Sequence, residues 1–190
     1  RTSFGWRVKT GTGVADHAAV IHAGTARGLS LLGLNHESGE TGDLAQFSEI
    51  RHPPVASVVL GFRRKDVAFP CEGFGALIPK TEGFRILGTI FSSSLFPNRA
   101  PAGHITLTSY VGGERQPDLA LLPEEELVEL VQADLARLFG VRGGPVFRNV
   151  ALYPQAIPQY NLGYGRHRAA MALLEMHFPG FFLAGHYRDG

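Results

Sequence analysis

The stretch HITLTSYV at residues 104–111 decides the class of fold, because apolar and polar side chains alternate along it. Successive side chains of an extended strand point to opposite faces of a sheet. The odd-numbered residues from Ile105 to Val111 therefore face one way, and the even-numbered residues from His104 to Tyr110 face the other. This period predicts a strand with one buried face and one less apolar face that carries threonines and a tyrosine.

The residues before this stretch predict an antiparallel meander. Residues 74–79 and 85–91 are predicted strands that flank Glu82-Gly83, a pair that suits a hairpin turn. Together with residues 104–111 they would form three consecutive strands of one sheet. Further strands are predicted at 18–23, 55–62, 145–152 and 181–184.

Residues 123–139 carry the clearest helical pattern. Pro123 suits the first turn of a helix, and the three glutamates that follow it complement the positive end of the helix dipole. Leucine and valine recur on one face of this segment, and Gly140 supplies a stop. A second helix is predicted at 168–177. The predicted fold class is α+β, with a mixed, largely antiparallel sheet and flanking helices.

The composition excludes several classes of protein. Of the 190 residues, 44% are hydrophobic and 18% are charged, so the chain can form a buried core. A net charge of +1 gives no reason to expect a nucleic acid as partner. The single cysteine, Cys71, excludes an intramolecular disulfide and suits a reducing, cytoplasmic location. No apolar run approaches the roughly 20 residues that span a bilayer.

Several motifs hint at chemistry, but the sequence favours a structural interpretation of each. The glycine pairs at 11/13 and 163/165 suggest a dinucleotide-binding loop, yet the third glycine position holds Asp16 in one and Arg168 in the other. We interpret both pairs as turns. Ser92-Ser93-Ser94 lacks the surroundings of a nucleophile elbow, and the eight histidines show no metal-ligand spacing. These residues alone predict a soluble mixed α and β domain with an aromatic-rich sheet.

Five short blocks, in order along the chain, carry a resemblance to a known family. The blocks are EGFGALIP (72–79), ILGTIFSSSLFPNRAP (86–101), YVGG (110–113), AIPQYNLG (156–163) and PGFFLAG (179–185). Together they resemble the oxygen-dependent protoporphyrinogen oxidases, within a wider group of monoamine-oxidase-like flavoproteins. The similarity extends from about Val20 to the last residue, which is nearly the whole chain.

The resemblance implies an FAD-dependent oxidoreductase of haem biosynthesis. Such enzymes oxidise protoporphyrinogen IX to protoporphyrin IX, pass hydrides to FAD, and let dioxygen reoxidise the flavin to give hydrogen peroxide. Because the cofactor performs the redox chemistry, we expect no catalytic side chain and no metal in this chain. The substrate is a large apolar macrocycle with acidic edges, so its pocket should be lined by aliphatic and aromatic side chains.

The resemblance also implies roles for individual residues. Leu77, Ile90 and Tyr110 would face the macrocycle, although Leu77 and Ile90 could equally be ordinary core residues. On the cofactor side, glycine would let the backbone approach the flavin. The implied flavin-side positions are Gly165, Gly185, His186 and Gly190. Two residues depart from the family pattern: His186 stands where Asn is usual, and Tyr164 stands where His is frequent.

The resemblance divides the chain into a substrate-binding domain at 50–165 and parts of a Rossmann-like FAD-binding domain at 1–49 and 166–190. The family's G-x-G-x-x-G unit, a membrane-associating region and an arginine near a substrate carboxylate would precede Arg1. We therefore expect this chain alone to bind no FAD stably and to show no turnover. The implied partners of a full-length parent are the porphyrinogen, a membrane surface in peripheral contact, and a second copy in a homodimer.

Three alternatives stay open at this point. The substrate could be coproporphyrinogen III, which differs from protoporphyrinogen IX in its peripheral carboxylates. The parent could instead be another flavin amine oxidase or a desaturase. The chain could also be a binding or scaffold module that kept the sheet without the chemistry.

Overall fold

The computed structural model describes residues 5–36 and 38–190, and these residues form nine strands and five α-helices. The strands are β1 (Trp6–Thr10), β2 (Gly13–His17), β3 (Val20–His22), β4 (Val55–Arg63), β5 (Gly75–Leu77), β6 (Ile86–Ile90), β7 (His104–Gly112), β8 (Phe147–Tyr153) and β9 (Phe181–Leu183). The helices are α1 (Ala26–Ser30), α2 (Ser92–Leu95), α3 (Glu124–Phe139), α4 (Gly165–His177) and α5 (His186–Asp189).

These elements form two compact units. The terminal unit contains the described residues up to Arg51 together with Pro158–Gly190, and the central unit is His52–Ile157. The second division lies before Pro158, whereas the sequence placed it after residue 165. The segment that differs is held by the terminal unit, because the Gln159 amide donates to the Arg51 carbonyl at 2.9 Å and the Tyr164 hydroxyl donates to the Tyr187 carbonyl.

The terminal unit joins distant parts of the chain. Strands β3 and β9 pair in parallel, with Val20 opposite Phe181, which confirms both predicted strands and shows how they meet. Strands β1 and β2 form an antiparallel hairpin around Gly11 and Thr12, so the first glycine pair is a turn, as predicted. The second pair leads into α4, which begins at Gly165, three residues before the prediction. The core of this unit contains Trp6, Leu29, Phe47, Met171, Phe178 and Phe181.

The central unit is built on one antiparallel sheet with the strand order β5-β6-β7-β4-β8. The predicted meander is confirmed, since β5, β6 and β7 are neighbours in the order of the sequence. Strand β4 precedes all three in the chain but lies between β7 and β8, and pairs with both in antiparallel register. Local sequence patterns did not predict this placement.

The two faces of the sheet differ as the alternation in β7 predicted. The odd-numbered residues of β7 from Ile105 to Val111 are buried, and helix α3 packs with them in one apolar core. Pro123 precedes α3, and Gly140, in the left-handed region at φ 61°, ends it. The other face carries the even-numbered residues from His104 to Tyr110, which are half-buried. One face of the sheet is therefore left open.

A buried carboxylate joins α3 to the start of β6. Asp134 is fully buried, and it accepts hydrogen bonds from the backbone amides of Arg85 at 2.6 Å and Ile86 at 3.1 Å. The Arg85 guanidinium adds a contact of 3.2 Å to the same carboxylate. Sequence analysis did not single out Asp134, although it lies four residues after Leu130, on the apolar face of the helix.

Gly112 is required by the backbone where β7 ends. Its φ is 103°, and an added Cβ would lie 2.5 Å from the Ala120 Cβ and 2.7 Å from the Pro54 carbonyl oxygen. We expect Gly112→Ala to lower the free energy of unfolding by about 2 kcal/mol in urea titrations. The control Gly103→Ala, at φ 74° with open space around the added Cβ, should cost about 1 kcal/mol through backbone strain alone. Equal losses would contradict a steric role for Gly112.

Within the described parts of the chain, no helix is both long and apolar enough to cross a membrane.

Candidate functional site

The three residues implied to face the substrate lie on the open face of the central sheet. In the strand register, Leu77 of β5 is opposite Gly88 of β6, and Gly88 is opposite Tyr110 of β7. Directly opposite residues of antiparallel strands share a face. Ile90 lies two residues beyond Gly88 on the same strand, so it faces the same side. The structure thus brings all three side chains onto one surface.

This surface is accessible. Leu77 is 91% exposed, so within this chain it is not a core residue, and Ile90 and Tyr110 are half-buried. Gly88 is buried between these strands and leaves no room for a side chain, because an added Cβ would lie 2.6 Å from the Ala76 carbonyl oxygen and 3.3 Å from Cδ2 of Leu77. We call the surface formed by Leu77, Gly88, Ile90 and Tyr110 the platform.

A pocket of about 1110 Å³ lies over the same face of the sheet. Ile90 and Tyr110 contribute to its wall, whereas Leu77 lies beyond its lining. The sheet also contributes Val59 and Phe147, and the segment from Ser92 to Pro101 forms much of the remaining wall. The volume and the mixture of aliphatic, aromatic and polar groups are typical of sites that bind small organic molecules.

The serines at 92–94 have structural partners. Ser92 shares a hydrogen bond of 2.7 Å with the Thr108 hydroxyl, and the Ser93 hydroxyl accepts from the Thr106 amide at 3.0 Å. The Ser94 hydroxyl donates to the Cys71 carbonyl at 2.7 Å. These bonds tie α2 to its surroundings, which agrees with the structural interpretation of the serines. In residues 5–36 and 38–190, no group of three His, Cys, Asp or Glu side chains is placed to hold a metal ion.

The ionisable groups of the pocket are basic or phenolic. Arg99 and His104 line it together with Tyr110, and none of its described lining residues is Asp or Glu. Sequence analysis quoted Arg99 within the block at 86–101 but assigned it no role. One signal for a binding role was available, because Arg99 lies in the loop that leads into the alternating strand. Loops on a rigid scaffold often carry binding residues.

The full length of the chain matches one protein family. Residues 2–190 match the family model described as flavin containing amine oxidoreductase.

The chain belongs to this family.

Two curated relatives show where it falls among the flavin containing amine oxidoreductases. It is 39% identical over 157 residues to protoporphyrinogen oxidase 2 of Arabidopsis thaliana, covering 81% of this chain and 31% of that protein. It is 26% identical over 148 residues to coproporphyrinogen III oxidase of Bacillus subtilis, covering 77% of this chain and 32% of that protein. The chain therefore spans less than a third of the length of these relatives.

A solved structure shows the same fold. A provisionally assigned protoporphyrinogen oxidase from Exiguobacterium sp. 255-15 superposes with a TM-score of 0.76 at 22% identity, covering 100% of this chain and 41% of that chain. At this identity the likeness shows the fold alone, and it agrees with the predicted α+β class. Membership of the family implies a flavin cofactor. The residues of the terminal unit show whether such a cofactor would fit there.

Two of the four positions that the resemblance placed on the flavin side lie in one cleft. Gly165 and Gly190 line a cleft of about 340 Å³ in the terminal unit, together with Arg168 and Arg188. An added Cβ at Gly165 would meet open space, and Gly190, at φ 102°, would direct one to within 3.9 Å of the Tyr160 hydroxyl. Exposed backbone in this cleft would let a flat cofactor approach it closely. Its two arginines pair with Asp189, which lines the same cleft, at 3.7 Å for Arg168 and 3.0 Å for Arg188.

The other two positions lie just outside this cleft. Gly185 adopts φ 121°, a backbone conformation that favours glycine, and an added Cβ would lie at an ordinary contact distance of 3.4 Å from the Tyr187 ring. His186 is exposed, and its carbonyl accepts a hydrogen bond from the Tyr160 hydroxyl. Through Tyr160, which also lines the cleft, His186 is connected to its wall. The resemblance placed the IPQY block, which ends in Tyr160, on the flavin side, whereas no sequence pattern pointed to Arg188.

A buried tyrosine and a histidine form a further polar pair in the terminal unit. The His22 Nδ1 and the Tyr187 hydroxyl are 2.9 Å apart, and the two rings meet edge to face. Burial raises the pKa of Tyr187 to about 12 and lowers the pKa of His22 below its ordinary value. The pair therefore favours a neutral imidazole in the folded protein.

This pair predicts a pH dependence of stability. A histidine with a lowered folded pKa stabilises the protein above its ordinary pKa of about 6.5, and this contribution is lost as the pH falls through the lower folded value. His22→Gln should therefore have a lower Tm than the parent at pH 7.5, and the difference should narrow at pH 5. The control His17→Gln, at an exposed position of β2, should lower the Tm at pH 7.5 by less than His22→Gln does. If the Tm difference between the parent and His22→Gln became larger at pH 5, the lowered pKa of His22 would be contradicted.

Proposed function

We propose that the whole protein that carries this chain is an FAD-dependent oxidase that converts protoporphyrinogen IX to protoporphyrin IX with dioxygen, giving hydrogen peroxide. The observation that carries the proposal is the shared, open position of Leu77, Ile90 and Tyr110 on the platform. The identity of 39% to a plant protoporphyrinogen oxidase supports the choice of substrate. The central unit would bind the substrate, and the terminal unit would contribute to the flavin site.

The platform can bind an apolar macrocycle through burial of apolar surface. Each Å² of apolar surface removed from water contributes about 25 cal/mol, and an exposed leucine that becomes fully buried contributes about 1.5–3 kcal/mol. Leu77 would supply the largest gain of the three side chains, because it is 91% exposed. Tyr110 would add an aromatic face, with its hydroxyl free to reach a polar atom.

The flavin, when bound, would accept the hydrides that leave the substrate. The residues of this chain would bind and orient the macrocycle and exclude water from it. The hydroxyls of Ser92 and Thr108 form a hydrogen bond with each other at 2.7 Å. These two polar groups of the open face therefore already have a partner. A wall of this kind positions a substrate without itself moving a proton.

The proposal is tested by assaying the purified whole protein with protoporphyrinogen IX under air. We expect the appearance of protoporphyrin fluorescence together with hydrogen peroxide and a bound-flavin absorbance spectrum. If the whole protein oxidised amine substrates but did not oxidise the porphyrinogen, the amine oxidase alternative would be favoured. Folded protein with neither activity nor flavin would favour a binding or scaffold module.

Coproporphyrinogen III is the second candidate substrate. The pocket carries Arg99 and His104 but no Asp or Glu among its described lining residues, which favours a substrate with more carboxylates. Relatives described as coproporphyrinogen III oxidases are 26% and 29% identical to this chain. The ratio of kcat/KM for the two porphyrinogens separates the candidates, and we expect protoporphyrinogen IX to have the higher value.

The location and the assembly of the whole protein stay predictions. The single cysteine, Cys71, is buried and free, and it is compatible with a reducing, cytoplasmic compartment. Peripheral membrane association and a homodimer rest on the family resemblance.

A further inference from the structure

One cation of the pocket pairs with no carboxylate of residues 5–36 and 38–190. Arg99 is exposed at the pocket wall, and its guanidinium carbon lies 5.9 Å from the centre of the Phe96 ring, in a cation–π contact. Within the described residues, Arg99 makes no ion pair. By contrast, Arg148 on the other face of the sheet donates to Glu125 at 2.8 Å. The donors of Arg99 are therefore available to a ligand in the pocket.

The backbone at Arg99 is held in place by the sheet. The Thr106 hydroxyl donates to the Arg99 carbonyl at 2.7 Å, while the Thr106 amide donates to the Ser93 hydroxyl at 3.0 Å. Asn98 precedes it in the left-handed region at φ 61°, which asparagine tolerates better than most residues. Thr106 thus holds both helix α2 and the backbone of the loop that carries Arg99.

The basic residues of the pocket and its platform residue Tyr110 lie toward opposite ends of strand β7. Along β7, His104 and Tyr110 face the same side and are six residues apart, which corresponds to about 20 Å of strand. Arg99 and His104 line one end of the pocket, and Tyr110 lines the other. Val59 and Phe147 contribute apolar surface to the sheet floor. The pocket therefore has an apolar floor and one cationic end.

We propose that Arg99 binds a carboxylate at the acidic edge of the tetrapyrrole while its apolar body lies on the platform. This inference rests on the proposed function and adds a specificity-determining residue to it. A guanidinium suits this role because its planar donors can bind both oxygens of a carboxylate, and it stays charged over the physiological pH range. Because Arg99 is exposed to solvent, its ion pair with the carboxylate should contribute modestly to the binding free energy, and this contribution should fall as the salt concentration rises.

The test compares two ligands that differ only in their acidic edge. Binding of protoporphyrin IX and of protoporphyrin IX dimethyl ester to the whole protein would be measured by fluorescence titration for the parent, Arg99→Gln and Arg99→Lys. We expect Arg99→Gln to raise the Kd of the free acid roughly fivefold and to leave the Kd of the ester unchanged. Arg99→Lys should lose less, because it keeps the charge. Raising the salt concentration should raise the Kd of the free acid and leave the Kd of the ester unchanged.

The control is Arg148→Gln, which removes the same charge from the opposite face of the sheet. It should leave both Kd values unchanged. Equal effects of Arg99→Gln on the acid and the ester, or no effect on either, would overturn the role of Arg99 and leave the proposed function standing. Failure of the parent to bind both ligands would overturn the proposed function and this inference with it.

Discussion

Leu77→Asp is expected to lower kcat/KM for protoporphyrinogen IX by about 10- to 100-fold. The lost burial of a leucine side chain is worth about 1.5–3 kcal/mol, and each 1.4 kcal/mol corresponds to about a factor of ten. A carboxylate on the platform would also repel the acidic edges of the substrate. Because Leu77 is 91% exposed, the free energy of unfolding should change by less than about 0.5 kcal/mol.

Leu121→Asp provides the matched control. Leu121 is 57% exposed and lies outside the pocket lining, so the same change of chemistry there should leave kcat/KM unaltered. Steady-state kinetics, with unfolding curves for each variant, would show whether the effect is specific to the platform. If both variants lose activity equally, or if Leu77→Asp retains full activity, the platform is not the substrate surface.

Asp134→Ala should lower the free energy of unfolding by about 3 kcal/mol. The substitution leaves the buried Ile86 amide and the Arg85 amide without their acceptor, because both donate to the Asp134 carboxylate. It also removes the ion pair with the Arg85 guanidinium. The loss should be visible as a lower midpoint of urea unfolding with little change in the slope.

Glu129→Ala is the control on the same helix. Glu129 is exposed, so its removal should change the free energy of unfolding by no more than about 0.5 kcal/mol. If Asp134→Ala also changed the free energy of unfolding by no more than about 0.5 kcal/mol, the link between α3 and β6 would contribute little to stability. Because β6 carries Ile90, this link also supports the position of a platform residue.

The features that sequence predicted well are those set by local physics. Pro123 and Gly140 mark the ends of α3, since one supports the first helical turn and the other adopts φ 61° after the last. The alternation in β7 fixed which of its residues face the core, because the period of a strand is two. The shared face of Leu77, Ile90 and Tyr110 follows from this period once the meander is known.

The features that sequence missed depend on contacts between distant segments. Nothing within β4 indicates that it lies between β7 and β8, and nothing within β3 indicates a parallel partner more than a hundred residues away. Register between such strands is set by the whole core. Asp134 illustrates a signal that could have been used, because a carboxylate on the apolar face of a helix requires a buried partner.

A crystal structure of the whole protein with protoporphyrin IX would show whether the open face of this sheet binds the tetrapyrrole. We expect macrocycle carbons to lie within about 4 Å of Leu77, Ile90 and Tyr110. A macrocycle bound on another surface, with these three side chains still open to solvent, would contradict it.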